Sequence, residues 1–588
     1  MNDAAAARKD ELFGHPVGLY VCFATELWER FSFYGMKFLL LLYLTKYHLF
    51  TDEMGFDVLG AYAGLVYALP VIGGLVADRY LGFRKAVVLG GILLSLGHVL
   101  MAVEGHQAIH YDAGTTLSES LELADGTVLA AGTTLTEEVT MRDTAALNVF
   151  YFALALIVAG VGYLKPNIST IVGRLYEKGD PRRDSGFTIF YMGINIGSFT
   201  ATLLCGWLGE TYGWKYGFGA AGIGMILGLI TFLGGQKFLH GHAEPSDPEK
   251  LKKRVLGPLT VAQTIYLASI ASLAGIWFLV QSEPVVHLAQ NSMLIVSIVG
   301  LILFAMLQRY GKVNDWVAVA IAAVCVVLGL IWASSGNDSY LGLMGAAAVV
   351  FVIYGYLKHN SVEYSQTVVL MVLILSTVVF WALFEQSAGS MTLYADRVVD
   401  RQIGGFEPTA AQLGSLNAGF IMLLAIPFAS MWVWLAKRKL EPSTPIKFAL
   451  GIVQVGLGFG ALVLGAQFPD EAGKVALIWL VLAYLLHTTG ELMLSPVGLS
   501  AVTKLSIPRV VGVSMGTWFL ATALSETIAT RLGKIAAIDT DAGVATDLAS
   551  SLATYTQLFT FLMWTGVIVG GVMLLASPFL RRGMHDVH

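Results

Sequence analysis

Residues 26–37 read Glu26-Leu-Trp-Glu29-Arg30-Phe-Ser-Phe-Tyr34-Gly35-Met-Lys37, and they set four ionisable groups in a run that is otherwise apolar. Apolar residues 17–24 precede them and residues 38–44 follow. On insertion scales a charge at mid-bilayer costs roughly 2.5–3.5 kcal/mol. A chain that keeps four must aim them at protein or water and give them partners, so the default reading is an ion or substrate pathway. At about 100° per residue, Glu26, Arg30 and Lys37 fall within about 40° of one another, and Glu29 lies about 60° to one side. Glu26 and Arg30 can pair at i,i+4. Tyr34 adds a hydroxyl toward the same side.

The 588 residues are 56% hydrophobic and only 13% charged, against about 25% charged in soluble domains. The chain is therefore read as an all-α polytopic membrane protein. A crossing helix needs about 20 apolar residues. Such stretches begin near residues 17, 56, 84, 146, 187, 214, 255, 292, 314, 339, 366, 411, 445, 474, 511 and 555. The pair near 292 and 314 is short and closely joined, which leaves fourteen spans as the alternative to sixteen. Either even number puts both termini on one side. Lys and Arg concentrate in one set of loops: Arg79, Arg84 and Lys85; Arg174, Lys178, Arg182 and Arg183; Lys237 to Arg254; Lys437 to Lys439; Lys504 and Arg509; Arg581 and Arg582. By the positive-inside rule these loops and both termini are cytoplasmic, in the inner membrane. No cleavable signal peptide is expected. Cys22, Cys205 and Cys325 fit no metal spacing or disulfide framework and are read as packing residues.

The alternate loops are poor in basic groups. The longest, 105–145, is acidic, repeats Gly-Thr-Thr-Leu at 114–117 and 132–135, and carries the turn signal Asp125-Gly126. A small β-hairpin outside the membrane is expected there. After the basic linker 237–254 come up to four apolar stretches, residues 255–357. They are read as an inserted peripheral block without buried ionisable groups and without a part in the chemistry.

Other spans carry isolated charges: Lys165 in Lys165-Pro166-Asn167, Glu385 in Trp381-Ala-Leu-Phe-Glu385-Gln386, Glu491 in Gly490-Glu491-Leu-Met-Leu-Ser-Pro496, and Glu526. A buried Lys165 needs a counter-ion, and the first span offers two carboxylates. Gly160, Gly162, Pro166, Gly490 and Pro496 are expected to loosen these helices and admit a polar ligand to the backbone. His98 and His487 are read as hydrogen-bonded packing. Glu526 is evenly balanced between a helix-end and a pathway role.

These residues match a known pattern. Glu26-x-x-Glu29-Arg30-Phe31-x-Phe33-Tyr34-Gly35 resembles the ExxERFxYYG signature of the proton-dependent oligopeptide transporters (the POT, or PTR, family) of the major facilitator superfamily. Gly74–Lys85, Lys165-Pro166-Asn167, Phe187–Phe199, Phe380–Gln386, Ser415–Asn417, Gly490–Ser500 and Trp518–Leu520 resemble further family segments in the family's order. The match leaves out 105–145 and 255–357. The resemblance implies a major facilitator fold: two six-helix bundles, 1–240 and 363–588, around a central cavity, with 241–362 holding a cytoplasmic linker and two to four inserted helices. It implies a proton-coupled symporter that imports di- and tripeptides by alternating access. Arg30, Tyr34 and Lys165 would then hold the peptide carboxylate, and Glu491 with Asn195 and Asn417 the amino end. Tyr67, Trp381 and Trp518 would line side-chain pockets. Glu26, Glu29, Arg30 and Lys165 would couple the proton, and Lys37–Glu385 would bridge the bundles as a gate.

Three departures matter. Phe33 removes one hydroxyl, Lys37 stands where Arg is frequent and so lacks the guanidinium fork, and the second-span histidine of mammalian relatives falls near Gly60. The carboxylates must therefore carry the proton. The competing reading on the same fold is a carrier of nitrate or a peptide-like drug. No HExxH zinc site and no GxSxG elbow is present, so the chain is read as no enzyme. No cofactor, metal or nucleic-acid partner is expected. The expected partners are peptides, protons and the bilayer, and the chain is expected to act as a monomer.

Overall fold

Long apolar runs punctuated by polar, Gly- and Pro-containing loops produce sixteen helices of 19 residues or more among the described residues. The computed structural model describes residues 11–122, 127–177, 180, 182–245, 247–307, 315–537 and 547–585. The first six helices are α1 (Val17–Lys46), α2 (Asp52–Val76), α3 (Phe83–Met101), α4 (Thr144–Arg174), α5 (Arg183–Tyr212) and α6 (Trp214–Gly235). Four follow the linker: α7 (Val261–Val280), α8 (Glu283–Leu307), α9 (Trp316–Ser335) and α10 (Asp338–Lys358). The last six are α11 (Val362–Phe384), α12 (Ser415–Lys437), α13 (Thr444–Gly465), α14 (Leu477–Leu505), α15 (Val511–Gly533) and α16 (Leu548–Met584).

Fourteen of these are apolar and long enough to cross a membrane on length and composition. The two outside that set are α1 and α15, which carry Glu26, Glu29, Arg30 and Lys37, and Glu526 and Arg531. The stretches near 292 and 314 are separate helices of 25 and 20 residues. The first of them starts nine residues earlier than its apolar run, at Glu283.

Helices α1–α6 form one bundle, in which α1 packs along α5 and α6 and α4 along α2 and α3. Helices α11–α16 form the second, with α13 between α14 and α16 and α11 against α15 and α16. The bundles meet where α2 runs along α15 and α5 along α12. The glycines expected to admit a ligand serve helix contacts instead. A Cβ on Gly160 would lie 2.8 Å from the Gly90 carbonyl oxygen, and one on Gly490 would lie 2.7 Å from that of Gly451. Small residues let membrane helices approach closely where lipid gives no hydrophobic drive.

The acidic loop contains two antiparallel pairs, Ile109–Tyr111 with Val139–Met141 and Leu121–Glu122 with Val128–Leu129. The two Gly-Thr-Thr-Leu repeats face each other: Thr116 and Thr134 bridge with their hydroxyls 3.1 Å apart, and Leu117 and Leu135 are buried. Asp125-Gly126 lies outside the described residues, as does Lys178 of the basic loops. The loop ends in Asp143, which caps α4 by accepting from the Ala146 N–H. Backbone N–H groups of Ala146 and His106 hold its carboxyl down at about 2.

Candidate functional site

Helices α1, α4, α14 and α15 and the turn after α11 carry the buried charge of the site. On α1, Arg30 Nη2 donates to Glu29 Oε1 at 2.6 Å, and its Nε bonds the other Glu29 oxygen. The same Nε lies 3.3 Å from Glu26 Oε1. All three side chains are buried. The i,i+4 spacing thus forms its pair, and the adjacent carboxylate takes the rest of the fork. The second oxygen of Glu26 is buried without a hydrogen-bond partner.

Helix α4 brings Lys165 next to Pro166, which has no N–H to donate to the Gly162 carbonyl. The ion pair expected between Lys165 and the first-span carboxylates is not formed. Its Nζ sits 4.2 Å from the centroid of the Tyr67 ring, and among the described residues no carboxylate lies within 4 Å of it. Arg30 occupies both acids on their own helix, so Lys165 keeps a cation–π contact and the longer-range fields of Glu29 and Glu26 and, from the other bundle, of Glu526.

Two turns along α1, Lys37 makes the expected bridge to Glu385 at 2.9 Å. It also donates to both oxygens of Glu526 on α15, at 3.0 and 3.2 Å. Glu385 reaches it because α11 ends at Phe384, and one 3-10 turn, Glu385–Ala388, turns the chain toward α1. In the second bundle, Asn417 Nδ2 donates to Glu491 Oε2 and to Thr488, each at 3.0 Å.

These groups share one region. Tyr34, Tyr67, Lys165, Trp381 and Asn417 are half-buried although they stand inside long helices, and so is Glu385 in the turn after α11. The charged groups around Tyr34 are Arg30 and Lys37 from one bundle and Glu385 and Glu491 from the other. Lys37 also lies 5.9 Å from the Tyr67 ring, which links it to Lys165. Trp381 packs edge-on against Phe380 and Phe384. Asn195 is buried and bonds the Tyr191 carbonyl of its own helix. Trp518 is buried against Gly498.

Several participants escaped the sequence reading. Tyr191, one turn before Asn195, has Glu491 and Tyr34 as its polar neighbours. Beyond Lys37, at the end where α1 finishes, Arg397 grips Asp52 at 2.6 and 2.7 Å, Lys46 pairs with Asp396 at 2.5 Å, and Lys534 pairs with Asp57. Among the described residues, every ion pair joining the two bundles lies at or beyond Lys37 toward this end. His487 bonds the Val455 carbonyl as expected, whereas neither nitrogen of His98 has a hydrogen-bond partner.

The inserted block also departs from expectation, because it does contain a buried acid. Glu283 pairs with Arg531 at 2.8 and 3.2 Å, and Thr527 donates to Gln290 at 2.9 Å and bonds His287 at 3.1 Å. Glu283, His287, Gln290 and Asn291 recur at i, i+4, i+7 and i+8. That polar stripe, readable in the sequence, marks a protein-facing side. Helix α7 meets the other bundle, where Ser269 and the Tyr163 hydroxyl are 2.6 Å apart.

Fold and site together define a membrane transporter of the major facilitator type. The sequence matches the POT family over residues 84–545, and the chain belongs to that family. It is 34% identical to a peptide transporter, YePEPT, of Yersinia enterocolitica, covering 98% of this chain and 96% of the relative. It is 33% identical, with the same coverage, to the uncharacterized transporter YclF of Bacillus subtilis. Among solved structures, a POT peptide transporter in complex with sulfate superposes with a TM-score of 0.67 at 31% identity, covering 98% and 97% of the two chains.

Proposed function

We propose that this protein is a proton-coupled symporter that imports di- and tripeptides. One observation carries the reading: Tyr34 lies in the field of the cations Arg30 and Lys37 of one bundle and of the carboxylates Glu385 and Glu491 of the other. A short peptide is a zwitterion with ends a fixed distance apart and side chains that vary. Arg30 and Lys165 suit its carboxylate, and Glu491, oriented by Asn417, suits its ammonium group. An anion carrier needs no acid of that kind. Tyr67, Trp381 and Trp518 offer apolar walls, and Asn195 with Tyr191 adds polar edges near Glu491.

A ligand that touches both bundles favours the arrangement that brings them together, since a ligand shifts an equilibrium only by its differential affinity. The ion pairs at the end where α1 finishes suit a state closed on the outside, with both termini cytoplasmic in the inner membrane. The bundles are taken as 1–240 and 363–588, with 241–362 as linker and inserted helices. Glu26, Glu29, Arg30 and Lys165 then serve proton coupling, because the Glu26 oxygen without a partner is a ready acceptor. Each proton supplies about 2.3 kcal/mol per 100 mV and about 1.4 kcal/mol per unit of pH gradient, enough for at least a roughly tenfold peptide gradient.

The test is uphill uptake of a panel of di- and tripeptides into proteoliposomes under an inward proton gradient. Accumulation of dialanine, with counterflow that nitrate does not support, is the expected result. Nitrate counterflow without dialanine counterflow would replace this reading with that of an anion carrier.

A further inference from the structure

Glu385 and Glu526 come from two helices of one bundle and meet on a single ammonium group of the other. Lys37 Nζ is 2.9 Å from Glu385 Oε2 and 3.0 and 3.2 Å from the two Glu526 oxygens. Lys37 and Glu526 are both almost fully buried, and Glu385 is half-buried. The set therefore holds two carboxylates against one cation. The groups packed around it still leave the region a cation short, since Lys37, Arg30 and Lys165 are three cations for Glu26, Glu29, Glu385 and Glu526. From α2, Tyr62 and Tyr67 face it. From α4, Lys165 is on the Tyr67 ring, with no carboxylate within 4 Å. From α1, Arg30 is committed to Glu26 and Glu29. One turn further along α15, Arg531 is matched by Glu283 of α8, and His287 of α8 bonds Thr527. Two carboxylates that share a buried site cannot both ionise cheaply, and one cation balances only one of them.

We propose that Glu526 is a second proton-binding carboxylate at the inter-bundle bridge, so that the Lys37–Glu385–Glu526 set holds one proton while the bundles are closed there. The proton comes from water when the bundles part. Lys37 then leaves with α1, and Glu385 and Glu526 stay behind on the other bundle without a cation. On closure Lys37 returns as the counter-ion of one carboxylate, and the pair keeps one proton: on Glu385 Oε1, which Lys37 does not touch, or on the Glu526 oxygen 3.2 Å from Lys37 once Lys37 releases it. A one-to-one Lys37–Glu385 bridge has no such spare acid, so Glu526 changes how many protons this end of the molecule binds. The role of that proton in transport rests on the peptide-symport reading, but the site itself does not.

The experiment is an infrared pH titration of the purified full-length protein in detergent, without peptide, from about pH 8 to about pH 5. The wild type is expected to gain one more protonated-carboxyl band than E526Q, and E526D is expected to keep that band at a shifted position. A titration of E526Q with the full wild-type set of bands would overturn the proposal. If E526Q does not fold, E526D decides: a spectrum identical to the wild type in band position means Glu526 does not carry the proton. Failure of dialanine uptake would refute the peptide reading and leave this titration standing.

Discussion

Arg30 and Lys37 stand two helical turns apart on α1, and each holds two carboxylates. The acids of Arg30 lie on its own helix, one and four residues away. Those of Lys37 belong to the other bundle and arrive from α11 and α15. The first set persists whatever the bundles do, because a helix carries its own neighbours with it. The second exists only while the bundles are closed at that end. One helix thus presents a permanent charge group and a conditional one, and the conditional one has an acid to spare.

Four tests break or sharpen this contrast. The largest effect is expected at the cation that the first set leaves over. Lys165→Ala removes the only charge there not committed to a neighbour, and uptake driven by a pH gradient in proteoliposomes should fall to background. Wild-type uphill uptake would remove Lys165 from the coupling group. Next comes Lys37→Ala, which strands two buried acids. Truncating one partner of a buried pair costs about 3–5 kcal/mol, and that cost falls on the closed arrangement alone. Spin labels at the exposed Met54 and Phe406 should report a wider separation in Lys37→Ala and an unchanged one in Arg30→Ala. The same widening in both variants would erase the distinction between the sets.

A smaller change is expected for Glu491→Gln, which lies outside both sets and faces them from the other bundle. A hydrogen bond to a charged group contributes about 1.5–3 kcal/mol, so peptides with a free amino terminus should bind roughly tenfold or more weakly. N-acetylated peptides should be unaffected, and calorimetric titration of the two series compares them. Equal losses would take Glu491 out of amine recognition. The smallest effect sets the floor for a residue remote from all these charges. Asp143→Ala removes the cap of α4 and should cost about 1 kcal/mol locally, seen as faster hydrogen exchange at Ala146. Because folding holds the Asp143 carboxyl down at about 2, its contribution is complete above the ordinary carboxylate range and is lost as pH falls toward 2.

Much of the fold is legible along the chain. Apolar runs near the bilayer thickness mark fourteen of the long helices, and the sixteen starts read from the sequence correspond to the sixteen long helices among the described residues. The group on Arg30 is also legible, because helical spacing alone brings Glu26 to it. The Lys37–Glu385 bridge entered only through family resemblance. Sequence alone does not decide the role of Glu526, since no local pattern says which distant cation it meets. The inserted helices are harder to read, because apolar length hides a polar stripe unless the residues are laid out around the helix, and Glu283 precedes the apolar run.

The chain alone determined that fourteen of these helices are long and apolar enough to cross a membrane, that α1 carries charge on one face, and that two of its acids share a guanidinium. Those facts depend on hydrophobic length and on a rise and turn per residue that every α-helix shares. Only the tertiary structure decided that Lys165 rests on an aromatic ring, that Lys37 serves two acids, and that α8 secures Arg531. Each of these contacts joins residues far apart in sequence, and which ones meet is set by how the bundles pack.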